Sequence, residues 1–274
     1  MLDYNILKEK PFVIAGPCSA ESLELCEKVS SFCKKICEDN GFTYIFKASF
    51  DKANRTNIEG KRGVGLAATM EDFIIIKDNL RIQTLTDVHT QNEILKIAAY
   101  YEGAVDVLQI PAFLCRQTDL IQAACKTGKT VNIKKGQFLA PWDVKGILSK
   151  TDGATEVWIT ERGTSFGYNT LVVDFTGLDY MLNNYDTPIV LDATHGVQKP
   201  GGLGGSSGGN RDYVPGLCRA GSALGIKNFF LEVHEDPAKA PSDGPNMLHL
   251  KDFERVIGDI DAYSYSDSSK IKKQ

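Results

Sequence analysis

The stretch Lys47-Ala-Ser-Phe-Asp-Lys-Ala-Asn-Arg55 puts three cations and an asparagine directly after Phe42-Thr-Tyr-Ile-Phe46, an apolar run that reads as a buried strand. A desolvated ammonium is costly unless it is paired. A strand that ends on lysine gains most where the lysine holds an anion, and phosphate and carboxylate groups take charge-assisted hydrogen bonds best. A solvated, salt-bridged edge is the competing reading of this segment alone. Other cations also follow apolar runs, namely Arg116, Lys134 and Arg162. Together with Lys47, Lys52 and Arg55 they exceed what one carboxylate needs. The set points to one or two substrates with more than one anionic group, phosphates foremost.

A second set is chemically different. Cys18, His195, Glu232 and Asp243 offer a thiol, an imidazole and two carboxylates, which could bind a borderline-soft divalent cation such as zinc, iron, cobalt or manganese. Their spacing is long-range, so only a fold that joins the chain's ends could assemble them. Cys18 sits between Pro17 and Ser19 at a strand end, where helix periodicity cannot account for it. Cys26, Cys33 and Cys37 instead recur at helical spacing and read as small core residues. The segment Pro200 to Asn210 is rich in glycine but lacks the Gly-Lys-Ser/Thr ending of a phosphate loop. It reads either as a lid over a site or as a flexible connection.

Eight short apolar runs must position these groups: Phe12 to Ala15, Thr43 to Phe46, Arg81 to Leu85, Val105 to Ile110, Thr130 to Ile133, Glu156 to Thr160, Pro188 to Leu191, and Asn228 to Leu231. Helical stretches such as Leu23 to Cys37, Gln91 to Tyr100 and Thr118 to Thr127 fall between them. This alternation predicts parallel strands with right-handed crossovers, closing into a single α/β (β/α)8 TIM barrel; an open doubly wound sheet is the alternative. Active sites of such barrels lie at the C-terminal strand ends. There the chain places Cys18, Lys47 with Lys52, Asp87 with His89, Gln109 with Arg116, Lys134 with Lys135, Arg162, Asp192 with His195, and Glu232 with His234. No interdomain linker is evident, so residues 1–263 are expected to form one catalytic barrel and residues 264–274 a polar tail.

The composition is that of a globular enzyme. The 274 residues are 42% hydrophobic and 24% charged, and the net charge of −4 argues against a general nucleic-acid binder. No apolar run is long enough to span a membrane, and the charged residues 1–10 lack a signal-peptide core, so a cytoplasmic location is expected. Seven cysteines without a compact secreted spacing also suit a reducing compartment.

Six motifs give the chain a family resemblance. Ala15-Gly-Pro-Cys-Ser-Ala-Glu-Ser22, Lys47 to Arg55, Gln109-Ile-Pro-Ala-Phe-Leu-Cys-Arg-Gln-Thr-Asp119, Asn132-Ile-Lys-Lys-Gly-Gln-Phe138, Thr160-Glu-Arg-Gly163 and Asp192-Ala-Thr-His195 resemble the 3-deoxy-D-manno-octulosonate 8-phosphate synthases. The resemblance implies condensation of phosphoenolpyruvate with arabinose 5-phosphate in a homotetramer. It assigns Lys134 and Arg162 to the phosphate of phosphoenolpyruvate, with Lys47, Lys52 and Gln109 around its other atoms. Lys47, Lys52 and His195 are the implied catalytic groups. Asn54, Arg55 and Thr56 would receive the sugar phosphate, His89 is a further substrate contact, and Arg116 would reach a neighbouring subunit's site. Cys18 implies the metal-dependent branch, with Cys18, His195, Glu232 and Asp243 as ligands of one divalent ion. Asp243-Gly-Pro245 resembles the metal-independent pattern as much as the other, and Thr56 stands where serine is usual. The heptulosonate phosphate synthases, which use erythrose 4-phosphate, would show Lys-Pro-Arg-Thr-Ser where this chain has Lys52-Ala-Asn-Arg-Thr56. A noncatalytic sugar-phosphate-binding barrel is the remaining alternative.

Overall fold

The computed structural model describes residues 10–264 apart from residues 55, 56, 58, 203, 205 and 206. Eight strands follow the expected runs: β1 (Phe12–Gly16), β2 (Thr43–Lys47), β3 (Gln83–Asp87), β4 (Val107–Ile110), β5 (Thr130–Lys134), β6 (Val157–Glu161), β7 (Ile189–Asp192) and β8 (Asn228–His234). They pair in parallel in chain order. β8 then pairs back onto β1, with Val13 opposite Phe229 and Gly16 opposite Glu232. That last pairing closes the barrel and removes the open sheet as a description. It also brings the first and last motifs of the chain side by side.

Helices α1 (Leu23–Asp39), α2 (Leu66–Leu80), α3 (Gln91–Tyr100), α4 (Thr118–Cys125), α5 (Val144–Leu148), α6 (Phe175–Asn184), α7 (Val214–Leu224) and α8 (Leu250–Ala262) separate the strands and cover the outside. Side-chain caps mark the starts of α1 and α3. The Ser22 hydroxyl accepts from the Leu25 amide at 3.2 Å, and Thr90 with Glu93 forms a reciprocal capping box at α3. Cys26, Cys33 and Cys37 are buried on the inner face of α1, as their spacing requires. None of the described helices is long and apolar enough to cross a membrane.

Two strands begin two residues later than the sequence suggests. α2 runs to Leu80, and Arg81 caps it in the left-handed conformation at φ 55°, so β3 starts at Gln83. Asp106 is taken up by the Lys77 ammonium at 2.7 Å and the Thr84 amide at 2.9 Å, so β4 starts at Val107.

Inside the barrel, Phe12, Ile14, Ile45, Leu85, Val107, Trp158, Val190 and Phe230 form a packed floor separate from the core beneath the helices. Phe12 and Trp158 stack with centroids 4.3 Å apart. Strand side chains alternate faces, so the residue two further along each strand points into the same interior. Those residues are Lys47 after Ile45, Asp87 after Leu85, Gln109 after Val107, Asp192 after Val190 and Glu232 after Phe230. On β1 the corresponding residue is Gly16, where a Cβ would lie 2.0 Å from the Lys47 carbonyl oxygen, so only glycine fits.

Candidate active site

A cavity of about 390 Å³ opens above this floor, lined by Lys47, Lys52, Asn54, His89, Gln109, Lys134, Arg162, His195, Glu232 and Asp243 among others. Ten of the sequence-predicted residues therefore face one space. Cys18 stands just behind, its thiol donating to Asp243 Oδ2 at 3.2 Å. Arg55 and Thr56 lie outside the described residues. Arg116 is not part of this cavity; it is exposed and lines a separate groove with Trp142, Lys145 and Lys150, because the 3-10 turn Ala112–Leu114 carries the chain outward after β4.

The cations are held by an interior network. Lys47 Nζ donates to Glu232 Oε1 at 3.2 Å, to the Cys18 carbonyl at 3.2 Å and to the Ser49 hydroxyl at 3.1 Å. The same hydroxyl accepts from Lys52 Nζ at 2.9 Å and donates to Asp87. Burial pushes the Asp87 carboxyl up, but Lys47, Lys52 and His89 outweigh it and hold its pKa at about 2. Burial likewise works against the Lys52 ammonium, yet the Cys18 sulfur and the Asp87, Glu232 and Asp243 carboxylates raise its pKa. Both stay charged.

Lys134 differs. Its ammonium pairs with Asp192 and lies 3.2 Å from the centroid of the Phe230 ring, a cation over an aromatic face. Burial is the larger influence and brings its pKa down to about 8 despite Asp192, with Arg162 and Lys47 adding to the fall. Lys135, its neighbour in sequence, points outward and is consumed by the Leu139 carbonyl at 2.9 Å and Glu161 at 3.2 Å. Arg162 donates through Nη2 to Gln198 Oε1 at 2.5 Å, while its buried Nε has no hydrogen-bond partner among the described residues.

The opposite wall carries the second set. Ligand atoms of Cys18, Glu232 and Asp243 lie within 4.8 Å of one another. His195, on the one-turn helix Ala193–Gly196, is held from behind by Asp192 Oδ2, 2.7 Å from Nδ1, and its Nε2 stands 3.8 Å from Glu232 Oε2. Asp192 caps that helix through the His195 amide at 2.9 Å. Burial would raise the Asp243 carboxyl, but His195, Lys52 and hydrogen bonds from Ser242 and Cys18 depress it. The Cys18 thiol is pushed up by burial and by Glu232. Glu232 Oε2 is buried without a hydrogen-bond partner among the described residues, a costly arrangement that a cation would relieve. A thiol, two carboxylates and an imidazole oriented by a carboxylate fit a divalent metal ion.

Three contributors escaped the sequence reading. Ser49, Gln198 and Ser242 organise the charged groups, but neutral side chains carry no charge signal. Asp87 and Asp192 were visible as strand-end carboxylates, and inward parity makes them the counter-ions of the lysines.

The fold and the site define a phosphate-handling barrel synthase, and the chain belongs to the DAHP synthetase I family, which matches residues 6–262. More particularly, it is 49% identical over 257 residues to the 2-dehydro-3-deoxyphosphooctonate aldolase of Agrobacterium fabrum, covering 93% of this chain and 89% of that protein. The protein of the same name from Rhizobium meliloti is 50% identical over 258 residues, with 93% and 90% covered. That from Fusobacterium nucleatum is 51% identical over 255 residues, with 91% and 89% covered.

Proposed function

We infer that this chain condenses phosphoenolpyruvate with D-arabinose 5-phosphate and water, giving 3-deoxy-D-manno-octulosonate 8-phosphate and inorganic phosphate. Relatives at about half identity across nearly the whole chain carry the octonate name. The observation that carries the reading in this molecule is the cavity in which Lys47, Lys52, Lys134 and Arg162 face His195, Glu232 and Asp243, with the Cys18 thiol directly behind Asp243. Both substrates are multiply anionic, and one space offers cations for both.

In this reading Lys134 and the free Nε edge of Arg162 hold the phosphate of phosphoenolpyruvate, and Gln109 and Lys52 orient the rest of the molecule. Fixed cations there position the enol carbon against the sugar aldehyde and stabilise charge as phosphate departs. Lys47, hydrogen-bonded to Ser49 and Glu232, sits where a proton can be held or passed between carboxylate and substrate. Asn54, Arg55, Thr56 and His89 take the sugar phosphate, with Arg55 offering its bidentate fork. Cys18, His195, Glu232 and Asp243 would hold one divalent ion, which when bound supplies Lewis-acid polarisation of a substrate oxygen or water. Arg116, exposed on the outer groove, would serve the site of a neighbouring subunit in a homotetramer, and the enzyme would work in the cytoplasm.

Purified protein should release inorganic phosphate from phosphoenolpyruvate only when arabinose 5-phosphate is present. Faster turnover with erythrose 4-phosphate would transfer the chain to the heptulosonate activity by which its family is described. Activity that survives thorough chelation would remove the metal from the reaction. Replacing Arg55 by alanine should weaken sugar-phosphate use far more than phosphoenolpyruvate binding; equal losses would contradict its role.

A further inference from the structure

Gln198 has a position that neither substrate nor metal explains by itself. Its Oε1 accepts from Arg162 Nη2 at 2.5 Å, and its Nε2 donates to Asp243 Oδ1 at 2.6 Å. The side chain is buried in the cavity wall between the phosphate arginine and the carboxylate of the metal corner. A primary amide suits this, because it presents an acceptor oxygen and a donor nitrogen side by side at one end without charge. A carboxylate would turn a second negative group against Asp243, and an apolar side chain would leave both partners short of a hydrogen bond.

The backbone adds a second tie. Gln198 pairs with Gly209 across the root of the glycine-rich segment. The Asn246 side chain packs so closely against Gly209 that a Cβ there would lie 1.5 Å from Asn246 Oδ1. The Asn246 backbone N–H in turn donates to the Asp243 carbonyl at 2.8 Å. Asp243 itself holds φ 57°, in the left-handed region, so its loop is set in one unusual conformation. The side chain of Gln198 thus joins Arg162 to Asp243, and its main chain ties the same residue through Gly209 to the Asp243 loop.

We propose that Gln198 is a positioning residue that couples the phosphate-binding arginine to the metal-binding aspartate, so that metal and phosphoenolpyruvate each strengthen the binding of the other. The proposal rests on the assignment of phosphoenolpyruvate and a divalent ion to this cavity. A metal that fixes Asp243 fixes the amide, and the amide holds Arg162 with Nε free for a phosphate oxygen. Linkage requires the effect to be reciprocal.

Binding alone tests it. Phosphoenolpyruvate is titrated calorimetrically into chelated and cobalt(II)-loaded protein, and cobalt(II) is titrated by its thiolate absorption with and without phosphoenolpyruvate. In the wild-type protein each should tighten the other about tenfold. In Gln198→Met the factor should shrink to about twofold or less, while circular dichroism stays that of the barrel; Gln198→Ser carries the same test should the methionine variant not fold. Undiminished coupling in these variants would overturn the proposal, because direct attraction between metal and anion would then account for it. A wild-type protein that binds no phosphoenolpyruvate would overturn the functional reading and the proposal together, a result distinct from the first.

Discussion

The floor and the mouth of the barrel are built by the same strands two residues apart, yet they obey opposite rules. At the floor, Phe12, Trp158, Val190 and Phe230 pack together as one apolar cluster and gain from burial itself. At the mouth, Lys47, Asp87, Lys134, Asp192 and Glu232 are equally buried, and burial works against each charge. The floor holds the strands together. The mouth is tolerated because the charges alternate in sign across the interior, Lys47 with Glu232 and Lys134 with Asp192. Substitutions at the two levels should separate stability from function.

The largest effect should come from the floor. Trp158→Ala removes a fully buried ring stacked on Phe12 and should cost about 3–5 kcal/mol of unfolding free energy in a urea titration. Whatever folded protein remains should bind phosphoenolpyruvate with nearly unchanged affinity. A large fall in affinity without a fall in stability would show that floor and mouth are not separable.

At the mouth the pattern should invert. Lys134→Met should lower turnover by about 10²- to 10³-fold, the range for losing one preorganised donor to developing charge. Its urea midpoint should move far less than that of Trp158→Ala, since Asp192 keeps the His195 amide at 2.9 Å, the Thr194 hydroxyl at 3.0 Å and His195 Nδ1 at 2.7 Å. Unfolding as severe as that of the tryptophan variant would make Lys134 a structural residue first.

Ser49→Ala is the intermediate case. The hydroxyl serves Lys47, Lys52 and Asp87 at once, so its loss strands buried charge and should cost about 1–3 kcal/mol together with a measurable fall in turnover. A variant that keeps both turnover and midpoint would mean that the lysines are positioned by the carboxylates alone.

The difference between the two levels also explains what could be read from the chain. The floor was legible as apolar runs, and the eight strands with their order followed from it. Mouth residues were legible where they carried charge at a strand end, as Lys47, Asp192 and Glu232 do. Adjacent cations were not separable: Lys134 and Lys135 look alike until the pleat sends one inward to Asp192 and the other outward to Glu161. Arg116 reads as a mouth residue by its distance from β4, and only the turn at Ala112–Leu114 sends it to the outer groove. Ser49 and Gln198 act through hydrogen bonds whose partners are distant in sequence. No local pattern announces them.

The smallest effect is one of pH, and it sets the two levels against each other within one residue. Lys134 has a pKa of about 8 in the folded protein, lowered by burial from the ordinary value of 10.5. Between these values the unfolded chain binds more protons than the folded one, so the stability contribution of this group rises as pH climbs from about 8 to 10.5. Its capacity to hold a phosphate falls over the same range, because the ammonium is lost. Phosphoenolpyruvate should therefore bind about tenfold more weakly per unit of pH above 8, or about 1.4 kcal/mol. The difference in stability between the wild-type protein and Lys134→Met should move upward meanwhile. Subtracting the variant removes the other titrating groups, including the buried thiols. Calorimetric affinities and urea midpoints at pH 7, 8 and 9 would settle the matter, and an affinity that stays flat to pH 9 would mean that Asp192 keeps Lys134 charged against burial.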